Sequence, residues 1–126
     1  MPVSPHDLVV EAKSQIKEVT CEEAMSLLGK RVVLDVREYD EFSAGHLPGA
    51  INIPRGVLEF KIGMVPEAAD RQSALLVYCR TSGRAALSVV QLQRLGYNDV
   101  ISMSGGFEQW SSEQRPTEKP EPINFE

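Results

Sequence analysis

An apolar run that ends at a cysteine and passes directly into a helical pattern is the most constraining feature of this sequence. Leu75–Tyr78 is typical of a buried β-strand, Cys79 follows it, and apolar residues recur at helical spacing from Ala85 onward. The thiol is thus placed where open α/β sheets bind ligands, between a strand end and a helix start. The helix dipole there favours a thiolate, the nucleophilic form of cysteine. The segment predicts a catalytic cysteine, whereas the simpler alternative is a small buried residue at a strand end.

The connection between this strand and helix has the spacing Cys-x4-Arg, six residues from Cys79 to Arg84. A loop curled at this position turns successive backbone N–H groups inward, so that they form an anion-binding nest around the sulfur. Gly83 permits the tight curl, and two loop hydroxyl groups are further candidate donors. We therefore predict that the loop binds an anionic substrate beside the catalytic Cys79. The candidate substrate-binding residues are Arg80, Thr81, Ser82, Gly83 and Arg84.

Strand patterns alternate with helix patterns along most of the chain. The predicted strands cover residues 16–19, 32–36, 50–53, 74–78 and 100–103. The predicted helices cover residues 20–28, 38–44, 82–95 and 105–111, with short helical turns between residues 57 and 70. This alternation is typical of parallel strands joined by right-handed crossovers. We predict an α/β fold in which a five-stranded, mainly parallel sheet carries helices on both faces.

The two ends of the chain differ from its centre. Residues 1–15 are interpreted as an N-terminal extension, in which Pro2 and Pro5 discourage early structure and residues 7–16 form a short helix. Residues 113–126 form a polar tail with three prolines, which we expect to be extended or disordered. Residues 16–112 are the predicted domain.

Composition excludes several classes of function. A net charge of −5 argues against binding to nucleic acid or to membrane surfaces. No apolar stretch approaches the roughly 20 residues that a membrane helix needs, and the amino terminus lacks the pattern of a secretory signal. We therefore expect a cytoplasmic protein whose two cysteines are free thiols. No cluster of histidines and cysteines has the spacing of a metal site, so no metal is expected.

Five motifs in order resemble the landmarks of the rhodanese family. They are Val-Leu-Asp-Val-Arg-Glu at 33–38, Gly-His-Leu-Pro-Gly-Ala-Ile-Asn-Ile-Pro at 45–54, Val-Tyr-Cys-Arg-Thr-Ser-Gly-Arg at 77–84, Leu-Gly-Tyr at 95–97 and Ser-Gly-Gly-Phe-Glu-Gln-Trp at 104–110. The resemblance covers residues 16–112. One departure is that Ser82 stands where many family loops have glycine, and Gly83 follows it.

The resemblance implies a sulfurtransferase that needs no cofactor. The loop cysteine, here Cys79, would take a sulfane sulfur from a small anionic donor such as thiosulfate and become a persulfide. Cyanide or a thiol would then accept that sulfur, and a protein acceptor is a further candidate. An alternative is a persulfide carrier or interaction module that delivers sulfur to a partner protein with little thiosulfate turnover. Related phosphatases and arsenate reductases carry a seven-residue loop, so the six-residue loop here favours sulfur transfer.

Other residues near this edge are weaker candidates. Asp35 and Arg37 follow a strand and are candidate pocket residues, although a structural ion pair with Asp40 or Glu41 is the simpler interpretation. Arg55 follows the third strand and is a candidate for the mouth of the site.

The two arginines of the loop have alternative roles. Arg84 fits substrate binding and loop bracing equally well, and Arg80 favours substrate binding. Cys21 lies in a capping box, Thr20-Cys-Glu-Glu23, where an ordinary structural role is preferred over a redox role.

Overall fold

The predicted strands form one parallel sheet in the computed structural model, which describes residues 2–121. The strands are β1 (Lys17–Val19), β2 (Val32–Asp35), β3 (Ile51–Asn52), β4 (Leu75–Tyr78) and β5 (Val100–Met103). They lie in the order β1-β5-β4-β2-β3, and each neighbouring pair is parallel. The prediction of a five-stranded α/β fold is confirmed. The central strand is β4, which Cys79 directly follows.

Six α-helices connect and cover the strands over this part of the chain. They are α1 (Pro5–Lys13), α2 (Cys21–Leu27), α3 (Tyr39–Ala44), α4 (Leu58–Lys61), α5 (Gly83–Arg94) and α6 (Gly106–Ser112). Short 3-10 turns at Arg55–Val57 and Ile62–Met64 flank α4. None of these helices within residues 2–121 has the length and apolar character needed to cross a membrane.

The sheet separates two hydrophobic layers. Alternate residues of β4 point to opposite faces, so Leu75 and Val77 pack with α4 and α5, while Leu76 and Tyr78 pack with α2 and α6. All four residues of β4 are buried. Burial on both faces explains why this strand is a continuous apolar run rather than an alternating one. Cys79 follows the strand and packs on the same face of the sheet as Leu75 and Val77, beneath α5.

The first helix begins earlier than the sequence suggests. Ser4 caps α1 with a capping box in which its side chain accepts the Asp7 N–H, and Pro5 occupies the first turn. The expectation that Pro5 discourages structure was wrong, because the first helical position needs no backbone N–H and its φ suits proline. Helix α1 packs against α5, and its Ala12 is buried in that contact.

The polar tail is attached to the domain as far as it is described. Glu118 exchanges two backbone hydrogen bonds with His46, each 2.8 Å long. The indole N–H of Trp110 donates to the carbonyl of Pro116 at 2.8 Å. Of the two expected forms, extended or disordered, residues 115–121 take the extended one, because the tail supplies backbone partners to groups that the domain leaves unpaired. Residues 122–126 lie outside the described part.

A buried polar network lies at the carboxyl end of the sheet, next to the cysteine. The Tyr78 hydroxyl donates to Asp35 Oδ2 at 2.6 Å and accepts the Leu47 N–H at 3.1 Å. Arg37 pairs with the same carboxylate at 2.7 Å and donates to the carbonyl of Gly45, also at 2.7 Å. Burial raises the pKa of Tyr78 well above its ordinary value, so its phenol stays protonated and able to donate. The network joins β2, β4 and the segment that follows α3.

Tyr78→Phe tests the strength of this network. The substitution leaves Asp35 Oδ2 and the Leu47 N–H each without one buried partner, so we expect the free energy of unfolding to fall by about 1–3 kcal/mol. Urea denaturation measures the change. Tyr39→Phe removes an exposed hydroxyl and should change stability by less than about 0.5 kcal/mol. Equal effects in the two variants would contradict a structural role for the network.

Candidate functional site

The sulfur of Cys79 takes the position that a helix-capping side chain normally occupies. Helix α5 begins at Gly83, and the preceding Ser82 makes no side-chain capping bond. Instead, the Cys79 sulfur accepts the backbone N–H of Ala85, the third residue of the helix, at 3.3 Å. The positive end of a 12-residue helix therefore faces this sulfur. The arrangement is suited to a thiolate or another singly charged sulfur group.

Cys79 is nevertheless buried, with 1% of its surface exposed. Its burial follows from its membership of the hydrophobic layer beneath α5. The sulfur is therefore almost inaccessible to solvent in this conformation. Of the predicted cradle residues, Arg80 and Thr81 are exposed, while Ser82, Gly83 and Arg84 are half-buried.

The loop rests directly on the start of α6. The N–H of Phe107 donates to the Cys79 carbonyl at 2.9 Å, and the N–H of Glu108 donates to the Arg80 carbonyl at 3.0 Å. Gly106 lies beneath them with φ +61, and a Cβ atom there would lie 2.3 Å from the carbonyl oxygen of Thr81. The absence of a side chain at Gly106 therefore permits the close approach of α6 to the loop.

Arg84 braces the loop through a carboxylate of α3. Its two Nη atoms donate to the two Oε atoms of Glu41 at 2.8 and 3.1 Å. This bidentate bond lowers the pKa of Glu41 to about 2 and raises that of Arg84. Of the two roles that the sequence left open for Arg84, bracing is therefore the one with an observed contact.

Arg80 is paired as well, though in solvent. Its Nε atom lies 3.3 Å from an oxygen of Glu108, and both side chains are exposed. Such an exposed pair contributes little to stability. The substrate-binding role of Arg80 stays a prediction.

The three weaker candidates have different positions. Arg37 lies on the wall of a cavity, where its guanidinium stands 4.3 Å from the centre of the Phe107 ring. Its partner is Asp35, not Asp40 or Glu41 as the sequence suggested, because the Asp35 side chain follows the same strand end and is fully buried. Arg55 instead donates to Glu59 within the next turn of chain, at 3.0 Å.

The cavity beside the loop has a volume of about 330 Å³. Its lining residues are Arg37, Glu41, Ala44, Arg80, Phe107 and Glu108. Phe107 and the two glutamates were not among the site residues that the sequence predicted. The available signal for Phe107 and Glu108 was their place in the Ser-Gly-Gly-Phe-Glu-Gln-Trp motif.

Cys21 lies beneath the loop as a structural residue. It is buried, and its sulfur lies 3.7 Å from the Ser104 carbonyl and 3.9 Å from that of Gly106. Burial raises the pKa of the Cys21 thiol. Within residues 2–121, no group of three or more histidine, cysteine or acidic side chains has the arrangement of a metal site.

Comparison with known proteins identifies the relatives of this domain. The model of the rhodanese-like domain family matches residues 20–113. The thiosulfate sulfurtransferase GlpE of Coxiella burnetii is 34% identical over 99 residues, which are 76% of this chain and 88% of GlpE. The probable adenylyltransferase/sulfurtransferase MoeZ of Mycobacterium tuberculosis is 29% identical over 87 residues. That match spans 69% of this chain but 22% of MoeZ, so the chain corresponds to about a fifth of that relative's length.

A solved structure extends the likeness to the terminal segments. A protein of unknown function from Rhodopseudomonas palustris, described as a possible tyrosine phosphatase, superposes with a TM-score of 0.82. It is 27% identical, and the match covers 94% of this chain and 96% of that one.

Gly106→Ala tests the contact between α6 and the loop. The added methyl group would meet two loop carbonyls within 2.4 Å, so either the loop moves or α6 withdraws. We expect a loss of about 3 kcal/mol or more in the free energy of unfolding. Gly29→Ala is the matched control, because Gly29 also has positive φ but has open space around its Cβ position. Its cost should be about 1–2 kcal/mol, and an equal cost in both variants would argue against a tight contact.

Acid should weaken the brace between Arg84 and Glu41. The folded-state pKa of Glu41, about 2, is below its ordinary value of 4.5, so its stabilising contribution is present above pH 4.5. That contribution is lost as the pH falls through about 2. Allowing for solvent screening, Glu41→Gln should cost about 1–2 kcal/mol at pH 7 and almost nothing near pH 2. Urea denaturation across this range measures the difference, and a cost independent of pH would contradict the assignment. Glu108→Gln is the control for a solvent-facing pair, since the side chains of Glu108 and Arg80 are both exposed.

Proposed function

We propose that this chain, which belongs to the rhodanese-like domain family, transfers a sulfane sulfur from a donor such as thiosulfate to a thiophilic acceptor through a persulfide on Cys79. The observation that supports the proposal best is the hydrogen bond from Ala85 N–H to the Cys79 sulfur at the start of α5. The backbone N–H and the positive end of the helix are groups that would stabilise a negatively charged sulfur at this position. GlpE, a relative that the chain spans nearly in full, is named as a thiosulfate sulfurtransferase.

In the first step the Cys79 thiolate attacks the outer sulfur of the donor. A new S–S bond forms at Cys79, the S–S bond within thiosulfate breaks, and sulfite leaves with the electron pair. The loop N–H groups from Arg80 to Arg84 are proposed to hold the terminal sulfur of the persulfide, and Arg37 contributes a wall of the cavity. Asp35 holds Arg37 in place.

In the second step the acceptor attacks the terminal sulfur of the persulfide. Cyanide leaves as thiocyanate, whereas a thiolate becomes a new persulfide, and Cys79 leaves as the original thiolate in either case. Each half-reaction forms one bond to the transferred sulfur and breaks another. Cys79 is the only residue of the protein that is covalently modified. We place the reaction in the cytoplasm, where both cysteines would stay as the free thiols that they are here.

The burial of Cys79 adds a requirement to both steps. Arg80 and Thr81 are the exposed part of the loop, and Phe107 is half-buried on the wall of the neighbouring cavity. We propose that these side chains move aside when a donor or acceptor approaches. The carbonyls of Cys79 and Arg80 are held by α6, so access need not disturb this part of the loop backbone.

Mass spectrometry of the intact protein gives the decisive measurement. Incubation with thiosulfate should add about 32 Da, the mass of one sulfur atom, and cyanide or a thiol should remove it. Cys79→Ser should abolish the gain, whereas Cys21→Ala should retain it. A wild-type protein that takes up no sulfur, or an unchanged gain in Cys79→Ser, would contradict the proposal.

Turnover assays separate the remaining possibilities. Rapid release of thiocyanate indicates an enzyme with small substrates, whereas loading without turnover indicates a carrier that passes sulfur to a protein. A protein acceptor is compatible with MoeZ, in which sulfurtransferase and adenylyltransferase functions share one name. Hydrolysis of an aryl phosphate, lost in Cys79→Ser, would instead favour the phosphatase function suggested for the Rhodopseudomonas palustris protein.

A further inference from the structure

Each arginine around the candidate site is already paired with a carboxylate. Arg84 binds Glu41 through two bonds, and Arg80 lies 3.3 Å from Glu108. The third guanidinium, that of Arg37, is paired with a buried aspartate. The positive charge that the loop sequence suggested is therefore compensated in the folded protein.

Two of these carboxylates belong to the wall of the cavity itself. Glu41 and Glu108 both line it, together with the guanidinium groups of Arg37 and Arg80. The hydrogen bond from Arg84 lowers the pKa of Glu41 to about 2, so that side chain keeps its negative charge at any ordinary pH. An anion that enters the cavity therefore meets two negative charges close to the arginines that would attract it, in a protein of net charge −5.

We propose that Glu41 and Glu108 determine donor specificity by charge, so that the site favours monoanionic sulfane donors over dianionic ones. The inference rests on the proposed sulfur transfer and concerns the donor class of the same site. A thiolate attack leaves a single negative charge on the persulfide, which the start of α5 can stabilise. The second charge of a dianionic donor has no equivalent partner, because the guanidinium groups are already bound to carboxylates.

Thiosulfate and methanethiosulfonate form a matched pair of donors for this question. Both present an outer sulfur on a tetrahedral sulfonyl centre, but one oxygen anion of thiosulfate is replaced by a methyl group. Attack by Cys79 on the outer sulfur forms the same persulfide in both reactions. The bond to the sulfonyl sulfur breaks, and either sulfite or methanesulfinate leaves with the electron pair. The rates therefore differ mainly through the charge of the donor and the leaving group.

The experiment measures the second-order rate of sulfur uptake from each donor by rapid quenching and intact mass. Glu108→Gln and Glu41→Gln each remove one negative charge from the cavity wall. Glu113→Gln makes the same change outside the cavity, at a side chain that pairs with Arg115. We expect the ratio of the thiosulfate rate to the methanethiosulfonate rate to rise roughly three- to tenfold in each cavity variant. The ratio in Glu113→Gln should stay at the wild-type value.

Charge and shape are separated by two further measurements. Glu108→Asp keeps the charge and should retain the wild-type ratio. In about 1 M salt the ratios of the wild type and of Glu108→Gln should converge, because the Debye length falls to about 3 Å and the charge of Glu108 is screened. If circular dichroism shows that Glu41→Gln is unfolded, the test of charge rests on Glu108→Gln, which changes an exposed side chain.

The outcomes distinguish this inference from the proposed function. Sulfur uptake by the wild type from both donors, with an unchanged ratio in Glu108→Gln, would overturn the role of charge and leave sulfur transfer intact. A ratio that rises equally in Glu113→Gln would also overturn it, since the effect would then reflect net charge alone. No uptake from either donor would overturn the proposed function, and the inference with it.

Discussion

The shape of the cysteine loop depends on a contact between two stretches of backbone. The first N–H groups of α6 bind the carbonyls of Cys79 and Arg80, and Gly106 allows the two stretches to approach. With these carbonyls turned toward α6, the following residues curl so that the Ala85 N–H reaches the Cys79 sulfur. Helix α6 thus binds carbonyls of the loop while α5 supplies an N–H group to its sulfur. A side chain at position 106 would clash with the carbonyls of Arg80 and Thr81.

Local features of the sequence predicted the fold well. The capping box at Thr20 forms as expected, with its hydroxyl accepting the Glu23 N–H at 3.1 Å. The positions of β5 and of Cys79 also follow from short-range patterns, because an apolar run and the start of a helix are decided within a few residues. The error at Pro5 was one of interpretation, since the same residue that breaks a helix interior is favourable in its first turn.

Partners distant in sequence were not predictable in the same way. Arg37 was expected to pair with an acidic residue of α3, but its partner is Asp35, and Glu41 of α3 instead reaches Arg84 on α5. The polar composition of the tail predicted an extended or disordered segment but did not indicate that its backbone bonds to His46. In each case the outcome depends on which groups the fold brings together, and neither charge nor hydropathy along the chain contains that information.

The part of the chain that packs into one unit extends beyond the residues that the family model matches. The family match covers residues 20–113, whereas α1 lies before it and the strand-like contact at Glu118 lies after it. A fragment trimmed to residues 20–113 would expose the surface of α5 that α1 covers and deprive the Trp110 indole of its acceptor. The packed unit is therefore larger than the part of the chain that defines the family, and a fragment with the family borders would lack contacts that the folded domain uses.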